Sequence, residues 1–212
     1  MENLKIEAIV KAVVQKLKDQ EVPKIRVEAS GRHVHLSKAD AMTLFGSTEL
    51  TIDRELSQPG QYLYKEKVML IGSKGVIKAV AILGPCRDKT QVELSMTDAR
   101  SIGLKGVVRD SGDLDQTESV IIAHAGKCIT AVSGTIVAKR HIHMTPDDAM
   151  LLKVKDKQEV SVYVSGMRPV IFDKVLVRVK ADYRLSMHID YDEANAVGLD
   201  KNAVGRIVEV SL

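Results

Sequence analysis

Residues 31–44 read GRHVHLSKADAMTL, and residues 139–152 repeat this pattern as KRHIHMTPDDAMLL. A second matching pair follows further along the chain, where residues 93–104 read ELSMTDARSIGL and residues 188–199 read HIDYDEANAVGL. Two matches in the same order are better explained by internal duplication than by chance. The sequence therefore predicts two copies of one unit, with loops of unequal length between the matching blocks.

Each block combines an extended segment, a helix-capping residue and a short helix. The capping positions carry Ser or Thr hydroxyls or an Asp carboxylate, and an acidic residue follows three positions later. These positions are Ser37, Ser95, Thr145 and Asp190. Segments between the blocks, such as Lys67–Ile71 and Val175–Val179, alternate in hydrophobicity and predict strands.

We therefore expect a mainly β fold with short helices, of the α+β class, built from two tandem repeats. The expected boundaries are residues 23–115 for the first repeat and residues 116–212 for the second, joined near residues 110–119. Residues 1–22 are expected to form a separate amphipathic helix, because their apolar residues recur at helical spacing and Pro23 ends the pattern. Such a helix could pack on its own domain or dock onto a partner surface.

Composition excludes several classes of function. The chain has 212 residues, a hydrophobic content of 45% and a formal net charge of +3, with no concentrated basic stripe for nucleic acid. No apolar run is long enough to span a membrane, and charged residues interrupt the N-terminus where a secretory leader would be apolar. Cys86 and Cys128 are too few for a disulfide framework, so we expect a reducing, cytoplasmic environment.

The repeated His-x-His pairs predict a metal site. Side chains alternate along a strand, so His33 and His35 share one face, as do His141 and His143. The second repeat aligns Glu93 with His188, and both residue types are good zinc ligands. Each half thus offers three ligands, and a tetrahedral ion bound by three ligands keeps an open position, as catalytic zinc sites do. His124 lies outside this pattern and is expected to be an ordinary surface or loop histidine.

Arg87 has no counterpart in the second half, where the aligned residue is Asp182. A guanidinium that precedes a ligand strand beside a Gly-Pro turn could hold a phosphate near the metal, or it could form a surface ion pair with Asp88 or a neighbouring residue. Cys86 could carry an acyl group as a thioester, although a lone cysteine is more often a small apolar filler. From these residues both alternatives remain open.

Four motifs give the chain a specific resemblance. They are SGRHVHLS at residues 30–37, GPCRDKTQVELS at residues 84–95, KRHIHM at residues 139–144 and MHID at residues 187–190. From about Val27 to the C-terminus, the sequence closely resembles the PduL-type phosphate propanoyltransferases. The resemblance implies two closed β-barrel domains capped by short helices, two zinc ions, and reversible transfer of a short acyl group between coenzyme A and inorganic phosphate.

The resemblance also assigns residues. The implied zinc ligands are His33, His35, Glu93, His141, His143 and His188. Arg87 corresponds to the residue that binds phosphate, and Ser111 to a residue near the site. Coenzyme A contacts are implied for Ala29, Ser30, Gly31, Lys74 and Asn195.

The resemblance finally bears on location and partners. Family members in bacterial microcompartments carry an N-terminal amphipathic extension that targets them to the shell, and residues 1–20 are similar to one. We therefore expect a microcompartment lumen, or otherwise the cytoplasm, with shell proteins as partners and a homo-oligomeric state. The substrate could be acetyl- or propanoyl-coenzyme A. Two other functions fit the same residues, namely a dizinc phosphoester hydrolase and a non-catalytic metal- or coenzyme-binding shell module.

Overall fold

The computed structural model describes residues 23–208, so the predicted helix within residues 1–22 lies outside the described part of the chain. The described part is mainly β with short helices, as predicted. The strands are β1 (Ile25–Ala29), β2 (His33–His35), β3 (Ile52–Glu55), β4 (Tyr62–Ile71), β5 (Val76–Gly84), β6 (Gln91–Glu93), β7 (Val108–Arg109), β8 (Glu118–His124), β9 (Lys127–Ala138), β10 (His141–Met144), β11 (Glu159–Val164), β12 (Val170–Val179), β13 (Ser186–Ile189) and β14 (Val204–Val208). The helices are α1 (Lys38–Phe45), α2 (Met96–Ser101), α3 (Pro146–Leu151) and α4 (Tyr191–Val197).

The strands close into two barrels. The first follows the order β4-β5-β2-β6-β9-β8, which closes because β8 pairs with both β4 and β9. Strands β3 and β7 lie outside this ring, on β4 and β9 respectively. The second barrel follows the order β11-β12-β10-β13-β1-β14. Closure pairs every strand of each ring on both sides and so removes free sheet edges.

The two rings agree strand for strand in order and direction. In the first, β2 runs parallel to β5 and antiparallel to β6, which in turn runs parallel to β9. In the second, β10 runs parallel to β12 and antiparallel to β13, which runs parallel to β1. The strands that begin with the two His-x-His pairs therefore occupy equivalent positions in the two barrels.

The barrels do not follow the predicted boundaries at residues 23–115 and 116–212. Strand β1 belongs to the second barrel, where it pairs with β13 and β14, whereas β8 and β9 belong to the first. The sequence prediction took each repeat as one continuous segment. Strand β1 of the second barrel immediately precedes β2 of the first barrel, and β9 of the first barrel immediately precedes β10 of the second. The chain therefore passes between the barrels at β1–β2 and again at β9–β10.

The predicted capping residues begin all four helices. The side chains of Ser37, Ser95, Thr145 and Asp190 each accept a hydrogen bond from the backbone N–H three residues later. Each cap lies close behind a short strand that carries site residues, so the first helical turn helps to fix where that strand ends. No helix among residues 23–208 is long and apolar enough to cross a membrane.

Each barrel encloses its own apolar core, and β1 contributes directly to the second. Ile25 is fully buried there with Ile142, Val162 and Met187. Ile171, on β12 of the same barrel, is by contrast 51% exposed.

We predict that Ile25→Ala destabilises the protein by about 2–5 kcal/mol, because it leaves a cavity in the core of the second barrel. The matched control Ile171→Ala should change the free energy of unfolding by less than about 1 kcal/mol. Both are measured by denaturant unfolding. Equal effects of the two substitutions would show that β1 is not part of that core.

Candidate active site

Strand register brings together the first predicted ligand set. His33 pairs across the strands with Glu93, and His35 pairs with Gln91. The Nε2 atom of His33 lies 3.5 Å from Glu93 Oε2, and the Nε2 atom of His35 lies 4.0 Å from Glu93 Oε1. All three side chains are buried, and their ligand atoms lie within 4.8 Å of one another, close enough to hold one metal ion. Val34, between the histidines, points instead into the core of the first barrel.

The second set has the same strand arrangement with different side chains. His141 pairs with His188, and His143 pairs with Ser186. The three imidazole rings form a cluster, with centroids 4.7 Å apart for His141 and His143, 5.3 Å for His141 and His188, and 4.9 Å for His143 and His188. One nitrogen of His188, Nε2, lies 3.0 Å from the Ser186 hydroxyl. A metal in this set would therefore compete with Ser186 for that nitrogen.

Backbone carbonyls orient one histidine of each pair. The Nδ1 atom of His33 donates to the Gly31 carbonyl at 2.7 Å, and the Nδ1 atom of His141 donates to the Lys139 carbonyl at 2.8 Å. This leaves the Nε2 lone pair of both rings free, which is the usual arrangement for a metal-ligating histidine.

Two other observations fit a bound metal. The buried Nδ1 atoms of His35 and His143, one in each set, have no hydrogen-bond partner among the described residues. An unsatisfied buried nitrogen is costly unless a group outside the described residues satisfies it. The donor types, imidazole and carboxylate, are those that zinc prefers.

The first set is electrostatically coupled. Burial alone would lower the pKa of His33, but the Glu93 carboxylate raises it above its ordinary value through its charge and a hydrogen bond. Burial would conversely raise the pKa of Glu93, yet His33, His35 and Arg87 hold it well below its ordinary value. Burial and the charge of His33 hold the pKa of His35 well below its usual range. The Glu93 carboxylate thus favours positive charge at this set, whether a proton or a metal cation carries it.

The second set has no carboxylate, and its histidines are neutral. Burial, then the charge of Arg178, lowers the pKa of His141 to about 3. Burial, then His141, lowers the pKa of His143 to about 2. Burial also lowers the pKa of His188. Neutral imidazoles keep the lone pairs that a metal ion needs.

Arg87 contacts the first set directly. Its Nη2 atom lies 2.7 Å from His35 Nε2, and its Nη1 atom donates to the Ser111 hydroxyl at 3.1 Å. The Ser111 hydroxyl in turn donates to Glu93 Oε1 at 3.0 Å and accepts from Gln91 Nε2 at 2.9 Å. Ser111, which the resemblance implied to lie near the site, therefore joins Arg87 to Glu93. The Nη1 atom of Arg87 lies 4.0 Å from Glu93 Oε1, so its ion-pair partner is the buried Glu93 and not Asp88.

Both sets open into one cavity of about 920 Å³ between the barrels. Ala29, Ser30 and Gly31, which were predicted to contact coenzyme A, line this cavity together with Arg87 and Ser111. At Gly31 a Cβ atom would lie 2.5 Å from the Tyr191 ring, so the absence of a side chain lets the two barrels approach closely.

The other two predicted coenzyme A residues are not in the cavity wall. Lys74 lies in the β4–β5 turn, where its backbone N–H donates to the Ile102 carbonyl at 3.2 Å. Asn195 is exposed on α4, one helical turn beyond Tyr191, which does line the cavity. A turn and a helix can be recognised in the sequence, but the direction in which they project depends on how they pack on the barrel.

Cys86 does not face the cavity. Its thiol packs against the core of the first barrel and lies 3.8 Å from the Thr48 carbonyl. Burial raises the pKa of this thiol, which keeps it protonated and weakly nucleophilic. The apolar-filler interpretation of Cys86 fits these contacts better than an acyl-cysteine.

Three side chains that contact or adjoin the ligand sets were not among the predicted site residues. Gln91 holds Ser111 and lies beside His35, Tyr183 packs its ring 4.3 Å from that of His143, and Arg178 lies on the strand next to His143. For Gln91 there was a signal, since it shares a strand face with Glu93. For Tyr183 and Arg178 there was none, because their approach to the histidines depends on pairing between distant segments.

Comparisons with known proteins agree with this arrangement. A profile of the phosphate propanoyltransferase family matches residues 26–200. A phosphate propanoyltransferase of Sebaldella termitidis is 50% identical over 208 residues, which cover 98% of this chain and 99% of that protein. One from Clostridioides difficile is 50% identical over 210 residues, with 99% of both chains covered, and one from Thermotoga maritima is 50% identical over 202 residues, with 94% of this chain and 95% of that protein covered.

These matches show that the protein is an acyltransferase. The profile covers residues 26–200, and the relatives cover nearly the whole chain. The protein belongs to the phosphate propanoyltransferase family.

The neutral histidines predict acid sensitivity of the metal-free protein. In the unfolded chain His141 and His143 titrate near 6.5, whereas in the fold their pKa values are about 3 and about 2. Below about pH 6.5 the unfolded state therefore binds more protons, so the free energy of unfolding should fall as the pH is lowered, by up to about 1.4 kcal/mol per pH unit for each proton.

Urea unfolding of chelator-treated protein between pH 7 and pH 4 measures this slope. We expect His143→Gln to flatten it and the control His124→Gln, outside both sets, to leave it unchanged. The same slope in His143→Gln as in the wild type would contradict the assignment of a neutral, buried His143.

Proposed function

We propose that this protein catalyses reversible transfer of a short acyl group between coenzyme A and inorganic phosphate at a centre that holds two zinc ions. The observation that carries the proposal is the convergence of both ligand sets and Arg87 on one cavity. The family to which the chain belongs indicates the reaction. The cavity offers one place where both substrates fit together.

The reaction needs no covalent enzyme intermediate. A phosphate oxygen attacks the carbonyl carbon of the thioester, so that a C–O bond forms and the C–S bond breaks. The proton from phosphate ends on the coenzyme A sulfur, and the products are acyl phosphate and free coenzyme A. Direct attack requires both substrates at one centre, and positioning them there is a large part of the catalysis.

The metal ligands are proposed to be His33, His35 and Glu93 for one ion and His141, His143 and His188 for the other. Bound zinc would supply a Lewis acid for the thioester carbonyl and a binding site for the thiolate. The Nε2 atom of His35 has a single lone pair, so ligation through this atom would displace its contact with Arg87. The guanidinium would then be available to an anion.

Arg87 is proposed to hold the attacking phosphate. A guanidinium presents paired N–H donors that match two phosphate oxygens and offsets part of the phosphate charge. Ser111 and Gln91 act as positioning residues, because their hydrogen bonds tie Arg87 to the same network as Glu93. The phosphate and the first metal would therefore be held in fixed relation.

Coenzyme A is proposed to enter along the wall formed by residues 29–31. The cavity of about 920 Å³ is near the upper end of the range for small-molecule sites, as a substrate with a long arm requires. The resemblance supports acetyl- or propanoyl-coenzyme A as substrates, a microcompartment lumen as the location, shell proteins as partners and a homo-oligomer as the assembly.

The metal assignment predicts two separable losses. Protein purified without chelator should contain about two zinc ions per chain, and His35→Ala and His143→Ala should each lose about one of them, because three ligands are needed to hold each ion. The control His124→Ala should retain both. Elemental analysis measures the metal, and acyl phosphate formation from propanoyl-coenzyme A measures activity. Fully active, metal-free protein would refute the dizinc centre.

The phosphate assignment predicts a selective kinetic change. Arg87→Lys keeps the charge but loses the paired donors, so the KM for phosphate should rise about tenfold while zinc content is unchanged. The exposed control Arg168→Lys should behave as the wild type. Steady-state rates at varied phosphate and varied propanoyl-coenzyme A separate the two substrates. An unchanged KM for phosphate in Arg87→Lys would restrict Arg87 to a structural role.

A further inference from the structure

Arg178 extends into the cavity beside the second ligand set. It lies on β12 directly opposite His143, in the parallel pairing of β10 with β12. Its neighbours Val177 and Val175 point into the barrel core, so the alternation of the strand turns Arg178 to the same side as His141 and His143. The side chain is half-buried and lines the cavity.

This guanidinium lacks a carboxylate partner. None of the ion pairs among residues 23–208 involves Arg178. Its positive charge contributes to lowering the pKa of His141, His143 and His188, the three histidines of the second set. A half-buried cation without a counter-charge is unfavourable unless an anion joins it.

Arg178 also acts on Arg87 from the opposite barrel. Burial lowers the pKa of Arg87, Glu93 raises it, and the like charge of Arg178 lowers it again. Glu93 is already engaged by His33 and by Ser111. Five arginines and one lysine line the cavity against three glutamates, which leaves a surplus of positive charge. Of these arginines, Arg87 contacts His35 of the first set and Arg178 pairs with His143 of the second, one from each barrel.

We propose that Arg178 binds the transferred phosphate together with Arg87, each barrel contributing one arginine. This inference rests on the proposed function and adds a second phosphate-binding residue to it. The position favours phosphate over the nucleotide end of coenzyme A. Arg178 adjoins the histidines where the acyl group reacts, whereas the coenzyme A phosphates are separated from the thiol by the whole pantetheine arm.

Binding of inorganic phosphate tests the proposal without turnover. Isothermal titration of the full-length, zinc-loaded protein and of its chelator-treated form should show phosphate affinity falling about 10- to 100-fold in Arg178→Gln, as expected for loss of a charged, paired contact. Arg178→Lys should show a smaller loss, and it serves as the second variant if Arg178→Gln does not fold. The control Arg206→Gln, exposed on β14 and outside the cavity, should bind phosphate as the wild type does.

Kinetics then identify which substrate Arg178 holds. We expect the KM for phosphate to rise at least about tenfold in Arg178→Gln and the KM for propanoyl-coenzyme A to stay within about twofold, with zinc content retained. A rise in the coenzyme A KM alone, or unchanged phosphate affinity in both variants, overturns the proposal. Wild-type protein that binds phosphate through Arg178 but forms no acyl phosphate would overturn the proposed function and leave this inference standing.

Discussion

Each barrel contains a strand, β1 or β9, that directly precedes the His-x-His strand of the other barrel, and the site depends on this constraint. Only residues 30–32 separate β1 in the second barrel from β2 in the first, and only residues 139–140 separate β9 in the first from β10 in the second. Each His-x-His strand is therefore fixed at its start by the opposite barrel. The same two connections carry the Gly31 and Lys139 carbonyls that orient His33 and His141. Barrel closure, the approach of the barrels and the orientation of the ligands are thus consequences of one arrangement.

The charges in the cavity follow from this geometry. Burial between the barrels favours neutral imidazoles in the second set. Burial also disfavours the Glu93 anion, but His33, His35 and Arg87 outweigh that effect and hold the pKa of Glu93 well below its ordinary value. Six ligand side chains with one carboxylate would leave two divalent ions with a large excess of positive charge, to which Arg87 and Arg178 add. Such a centre binds anions strongly. Inorganic phosphate and the thiolate of coenzyme A are the anions that the proposed reaction brings to it.

The sequence predicted features that depend on residues close together in the chain, and it missed those that depend on distant segments. The helix caps and the shared face of His33 and His35 are local properties, and both were predicted correctly. The pairing of Glu93 with the first histidines was accessible only because the repeat aligned it with His188. The placement of β1, and with it the barrel boundaries, was wrong because parallel pairing of β1 with β13 joins residues far apart in the chain. Arg178 was missed for the same reason, since its neighbour His143 lies on a different strand.

Aligning the two repeats also gave a wrong expectation about the arginines of the two halves. The repeat aligned Arg87 with Asp182, which is exposed, and so suggested that the second half has no arginine at the site. Arg178 supplies one from β12, where it pairs with His143. The barrels thus keep equivalent strands while they place their cations differently. The first ligand set includes a carboxylate and lies beside an arginine from a loop. The second set is neutral and lies beside an arginine from a strand.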